Sequence, residues 1–185
     1  MPFRAFISAD LGRHPKVEPF SRTLKDSGGQ LKLVDLDLLH TTIKFLGDAD
    51  EALIPEIVAV MEKSVAGVPP LAVTLRGTGV FPTARRIRVV WVGLEGAEAL
   101  GTIAGFLDRE LEALGFPPEK RKWEPHVTVA RLKSGRNLDR VRAAVAAFAD
   151  EVFGEATVDR IRLERSVLTP AGPEYSTVAD VPLPG

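Results

Sequence analysis

The chain has 185 residues, 45% of them hydrophobic and 26% charged, with a net charge of −1. This is the balance of a globular protein able to bury about 70% of its unfolded surface; the near-neutral charge leaves any nucleic-acid partner to be gripped by a local basic patch. The absence of cysteine excludes disulfides, thiolate nucleophiles and Cys-based zinc sites and fits a reducing cytoplasm, while no run nears the ~18 apolar residues of a membrane span and the N-terminal run is too short for a signal peptide.

Taken in order, Phe3 to Ala9 alternates apolar residues on one face and predicts a first strand. A helical stretch is expected from Asp10 to about Lys25, stopped by Ser27-Gly28-Gly29. Short and longer strands follow at Leu31–Val34 and Leu39–Leu46, the second broken by Gly47-Asp48. Residues 51–65 place Leu53, Ile57, Val60 and Met61 on one helical stripe. Strands are expected at Leu71–Leu75 and Ile87–Leu94, joined by a loop from Arg76 to Arg86. Leu100, Ile103, Leu107, Leu111 and Leu114 define a helix over 97–114 that Gly115 ends. A strand at Val127–Leu132, a helix at Leu138–Phe148 and strands at Thr157–Leu168 and Tyr175–Val181 complete the chain. Two blocks of similar make-up emerge, which suggests a pseudo-repeat of two αβ lobes within one domain spanning residues 1–185.

Each block holds a strand with the same motif: His40-Thr41-Thr42-Ile43-Lys44-Phe45 in one, His126-Val127-Thr128-Val129-Ala130-Arg131 in the other. Residues i and i+2 of a strand share a face. His40 therefore looks the same way as Thr42, and His126 the same way as Thr128. Two such strands facing each other would offer two imidazoles and two hydroxyls to one cleft. Opening a cyclic phosphodiester needs a base for water and an acid for the leaving ribose oxygen. Histidine can be either near neutral pH, the hydroxyls can bond the phosphate oxygens, and no metal or other cofactor is required.

These segments resemble the two signature motifs of the 2H phosphoesterase superfamily, and more narrowly its LigT-like branch of RNA 2′,3′-cyclic phosphodiesterases, also called 2′-5′ RNA ligases. The motifs H-x-T-x-x-F and H-x-T-x-A-R read here as HTTIKFLG and HVTVARLK. The likeness extends to FRAFISADL, GTGVFPTARRIRVVWVGL, LGFPPEKRKWEPHVTVAR and LERSVLTPAGPEYSTVADVPL. Leu33 and Leu36 stand near places where the family often has an aromatic and a proline. The resemblance implies a bilobal α+β fold, pseudo-twofold, with two antiparallel sheets flanking a central cleft. It implies His40 as acid to the leaving 3′ oxygen, His126 as the base that activates water, and an RNA 2′-phosphate as product. Its partners would be RNAs with 2′,3′-cyclic phosphate ends, tRNA fragments among them, met by a cytoplasmic monomer. Ligation through a 2′-5′ bond and hydrolysis of small cyclic nucleotides use the same groups, and a non-catalytic RNA-binding module is the reading from another class.

Three further residues are candidate substrate contacts. Arg131 and Phe45 each lie three residues past a motif threonine, an odd offset that an ideal strand would turn away unless a bulge re-aims it. Lys44 shares parity with His40 and Thr42 and is placed to reach the phosphate. Arg85-Arg86-Ile87-Arg88 and Lys120-Arg121-Lys122-Trp123 are basic clusters suited to RNA. His14 is expected at the surface. Gly77-Thr78-Gly79 lacks the rest of a nucleotide loop, so no ATP site is expected.

Overall fold

The computed structural model describes residues 2–185. The first strand, β1 (Pro2–Asp10), is buried on both faces from Ala5 to Ala9. A strand covered on both faces needs partners on both edges, and β1 finds them far apart in the chain. β3 (His40–Asp50) pairs antiparallel on one side and β8 (Arg160–Thr169) on the other; β9 (Gly172–Pro182) extends the sheet from β8. A second antiparallel sheet has the order β2-β6-β5-β4-β7, from β2 (Leu31–Leu33), β6 (His126–Leu132), β5 (Arg86–Glu95), β4 (Leu71–Thr83) and β7 (Val152–Val158).

Four helices cover the sheets. α2 (Ile54–Ser64) and α3 (Glu98–Glu110) pack on each other and on strands of the four-stranded sheet; α1 (Val17–Asp26) and α4 (Leu138–Ala147) do the same for the five-stranded one. The fold is thus α+β with two antiparallel sheets, as expected, but the two lobes are not the two halves of the sequence. α1 leaves β1 to serve the opposite sheet, α3 leaves β5 to do likewise, and the last two strands return to β1. This suits the two-sided burial: β1 is a central strand, and the C-terminal hairpin covers the edge that β3 leaves free.

Several boundaries move for local reasons. The helix expected from Asp10 begins only at Val17, because Gly12 takes a left-handed φ of +73° and Pro15 follows. His14 in that connection is buried, 8% exposed, with Nε2 2.7 Å from the Leu11 carbonyl oxygen, and so is not a surface residue. β3 continues through Gly47-Asp48 to Asp50: Leu46 is an extra residue opposite β1, so the break expected there is a bulge. The loop expected from Arg76 to Arg86 is instead the distal part of a long hairpin of β4 and β5, with the register slipping past Arg76 and Gly77. The single strand expected at 157–168 is split at Asp159 into β7 and β8, which belong to different sheets.

Candidate active site

The two motif strands lie against each other across the gap between the sheets and line one cavity of about 1520 Å³. Thr42 and Phe45 enter it from β3; His126, Thr128 and Arg131 enter it from β6; Trp91 stands behind them on β5. His40 borders a second pocket of about 260 Å³ on the same face of its own sheet.

Both histidines are held in the same way. His40 Nδ1 lies 2.9 Å from the Leu38 carbonyl oxygen, and His126 Nδ1 lies 2.8 Å from that of Glu124. A carbonyl oxygen can only accept, so each Nδ1 carries the proton and each Nε2 is left free for chemistry. Each ring is also wedged between aromatics. Phe6 and Tyr175 flank His40 at 5.4 and 5.6 Å between ring centroids; Phe81 and Trp91 flank His126 at 4.9 and 6.4 Å. Phe6 and Trp91 come from the strand next to each motif strand, β1 and β5; Tyr175 and Phe81 come from strands further along each sheet, β9 and β4. Sequence reasoning missed this cage, although Phe6, Phe81 and Trp91 could be seen as single aromatics on strand-like segments.

Burial among these rings lowers the pKa of both imidazoles, against the opposing pull of their backbone hydrogen bonds. Asp10 raises that of His40 and Glu124 that of His126, while the Arg131 guanidinium lowers both. His40 also lowers His126, so the two rings are near enough for one charge to bear on the other.

Identical bulges settle what lies beside the histidines. On β3, Lys44 pairs with Ile7 and Thr42 with Ser8, which leaves Ile43 as the extra residue. On β6, Ala130 pairs with Val90 and Thr128 with Trp91, which leaves Val129 extra. The bulge falls one residue after the threonine in both strands, and it inverts the alternation beyond that point. Phe45 and Arg131, at odd offsets, are thereby brought onto the cleft face. Phe45 is 45% exposed and stacks on Phe6 at 6.0 Å. Arg131 is exposed and makes no ion pair among the described residues.

Lys44 suffers the opposite fate, which corrects the expectation drawn from its parity. Its side chain is 1% exposed, and its ammonium donates to Asp108 Oδ1 at 2.8 Å and to the Pro117 carbonyl oxygen at 3.1 Å. It is not available to a phosphate. It anchors the segment 117–123, as does Trp123, whose indole N–H donates to the Thr42 carbonyl oxygen at 2.9 Å. Of the basic cluster before β6, Trp123 therefore turns inward as a fastener, while Lys120, Arg121 and Lys122 stay exposed at the cavity rim. Neither Thr42 nor Thr128 makes a side-chain hydrogen bond among the described residues, so both hydroxyls are open to the cleft.

Two sheets that each turn a His-x-Thr strand toward a shared cleft define the architecture of a two-histidine phosphoesterase. The chain belongs to the 2′-5′ RNA ligase superfamily, whose sequence model matches residues 15–168. It is 39% identical over 178 residues to the RNA 2′,3′-cyclic phosphodiesterase of Methanothermobacter thermautotrophicus, covering 95% of this chain and 96% of that one. It is 36% identical over 162 residues to the enzyme of the same description from Aeropyrum pernix, covering 86% and 90%. Among solved structures, the TT0787 protein of Thermus thermophilus superposes with a TM-score of 0.73 at 27% identity over 98% of both chains. E. coli LigT complexed with 3′-AMP shares the fold, with a TM-score of 0.72 at 21% identity over the whole of both chains.

Proposed function

We propose that this chain is an RNA 2′,3′-cyclic phosphodiesterase that yields an RNA 2′-phosphate by metal-independent two-histidine catalysis. The observation that carries the reading is the matched presentation of two Nε2 atoms, each fixed by an Nδ1–H donated to the carbonyl two residues back, with His126 lining the cleft and His40 bordering the pocket on its own sheet. The curated relatives of the same description supply the substrate class.

In the reaction, His126 Nε2 takes a proton from water as the water oxygen bonds to phosphorus. The bond from phosphorus to the ribose 3′ oxygen breaks, and His40 Nε2–H gives its proton to that oxygen. The roles of the two rings follow the family resemblance. Thr42 and Thr128 donate hydroxyl hydrogens to the non-bridging oxygens, and the Arg131 guanidinium offsets the charge that builds on them. Burial lowers the pKa of both rings, which suits His126 as a base; an anionic phosphate opposes that shift at His40 and favours its proton. Phe45 offers a wall for a base to stack on. RNA ends such as tRNA fragments, reached by a monomer in the cytoplasm, are the setting we propose for this chemistry.

The test is turnover of an oligonucleotide ending in a 2′,3′-cyclic phosphate, with the product resolved as a 2′- or 3′-phosphate. Wild-type enzyme is expected to give the 2′-phosphate, and His40→Ala or His126→Ala to lower kcat/KM by roughly 10²–10⁴-fold. The double variant should lose less than the product of the two factors, because the residues act as a unit. Near wild-type turnover by both single variants would refute the assignment.

A further inference from the structure

The pocket beside His40 holds polar groups that the fold itself does not use. Its floor is the cleft face of β1 and β8, where Ser8 stands opposite both Thr42 and Arg162, and Phe6 stands opposite both Phe45 and Glu164. Directly paired residues share a face. Ser8 is 1% exposed, and its hydroxyl has no partner. Glu164 is 6% exposed and forms no ion pair among the described residues; its single side-chain hydrogen bond comes from the Thr177 hydroxyl to Oε1, at 2.9 Å. Buried carboxylates and hydroxyls are normally satisfied. Two under-satisfied groups facing one pocket point to a ligand that completes them.

The pocket's chemistry narrows that ligand. A cation is not called for, because Arg162 already lies between Asp10 and Asp180, bonded to both. With Asp10 and Asp37 taken up by arginines, Glu164 is the acceptor left under-satisfied, and the Ser8, Thr177 and Tyr175 hydroxyls can act as donor or acceptor; a ligand that completes Glu164 presents N–H donors to it. Phe6 and Tyr175 close the pocket with aromatic surface, their centroids 5.1 Å apart edge to face. At about 260 Å³ the pocket is smaller than the usual site for a whole ligand and suits one ring system. It lies on the side of His40, the group that protonates the leaving ribose oxygen, and so on the side of the terminal nucleotide's own sugar and base.

We propose that this pocket is a nucleobase subsite that selects guanine at the cyclic-phosphate terminus, with Glu164 and Ser8 as its specificity determinants. This rests on the reading of the cleft as a cyclic-phosphate site. Guanine is the base that turns two adjacent donors, N1–H and the 2-amino group, toward a single carboxylate. Adenine and cytosine place an acceptor nitrogen beside their amino group, and uracil flanks its one N–H with carbonyl oxygens that a carboxylate repels. Recognition of an unpaired base by its Watson–Crick edge and an aromatic surface is the general mode for single-stranded RNA.

The experiment measures kcat/KM of the full chain on 2′,3′-cyclic GMP, AMP, CMP and UMP. Wild type is expected to prefer the guanine substrate by roughly 5- to 150-fold, the discrimination a good bidentate base contact provides. Glu164→Gln should collapse that preference while thermal melting shows it folded; should it not fold, Thr177→Val, which frees the carboxylate from its orienting hydroxyl, carries the same expectation. Ser8→Ala separates a ligand role from a structural one. It removes a hydroxyl that no protein group uses, so stability should hold or rise, yet KM for cyclic GMP should rise about 2- to 10-fold with the lost hydrogen bond. Equal kcat/KM on all four substrates, or a Glu164→Gln variant that loses all four in proportion, would overturn the subsite. No turnover of any of them would overturn the proposed reaction instead, and calorimetric binding of 2′-GMP against 2′-AMP would then judge the subsite by the same preference.

Discussion

Replacing Asp108 by Ala tests the tie that Lys44 makes across the molecule. The Asp108 carboxylate accepts from the Lys44 ammonium at 2.8 Å and from the Glu119 backbone N–H at 2.8 Å through the same oxygen. Lys44 is 1% exposed and its strand is anchored by β1, so the ammonium cannot follow water outward when its partner goes. Breaking a buried pair from one side costs about 3–5 kcal/mol. Asp108 is itself 26% exposed, and water entering the vacated space, with the Pro117 carbonyl oxygen still in place, moves the expectation toward about 3 kcal/mol or a little below. Urea unfolding of wild type, Asp108→Ala, Lys44→Met and the double variant at pH 7 gives the numbers. The double variant should recover much of the loss, because it removes the stranded charge. The pair should also respond to pH. Burial works against ionisation of Asp108, but the hydrogen bonds from Lys44 and Glu119 outweigh it and hold the carboxyl below its ordinary value. A depressed acid stabilises the fold above its unfolded pKa of about 3.9, and that contribution fades as pH falls through the lower folded value. Because the segment 117–123 hangs on this tie, KM for RNA should rise more than kcat falls. A cost under about 1 kcal/mol for Asp108→Ala, with no recovery in the double variant, would show that Lys44 is not held as described.

Four further outcomes are expected. The His40 and His126 imidazoles, followed by their ring-proton NMR shifts, should titrate below the ordinary value of about 6.5 because burial disfavours the charged ring; the acid limb of kcat/KM should fall correspondingly low, and a limb above that value would contradict the geometry. Arg131→Gln should raise both titrations, since its charge lowers each, and should lower kcat/KM roughly 10- to 1000-fold, as loss of a transition-state donor does. Gly79→Ala would drive a Cβ into the Trp91 ring, so it should cost about 1–3 kcal/mol in denaturant melts and lower activity by displacing the wall behind His126. Turnover should survive EDTA, because the acid and base are imidazoles and no cluster of three His, Cys, Asp or Glu side chains lies together among the described residues; loss on chelation with rescue by a divalent ion would refute the mechanism.

The paired motifs could be read without a structure because their information is local. Two His-x-Thr segments on strand-like sequence put each histidine with its threonine on one face, through nothing more than the two-residue period of a strand. The alternation of Phe3 to Ala9 and the stripes at Ile57 and Leu100 likewise marked strands and helices whose buried faces the fold kept. Tertiary structure decided whatever depended on a partner strand. The bulges at Ile43 and Val129 arise from pairing with β1 and β5, and each inverts the period beyond itself. Phe45 and Arg131 thus reach the cleft, whereas Lys44 is buried against Asp108 on a helix 64 residues away. The exchange of helices between lobes and the return of β8 to β1 came from the need to cover both edges of a two-faced strand, which no single segment reveals. The aromatic cage, the unpartnered Ser8 hydroxyl and the Glu164 carboxylate bonded only by Thr177 have the same origin. Burial and hydrogen-bond satisfaction are properties of neighbours brought together by folding, and a strand's own period carries no record of which neighbours those will be.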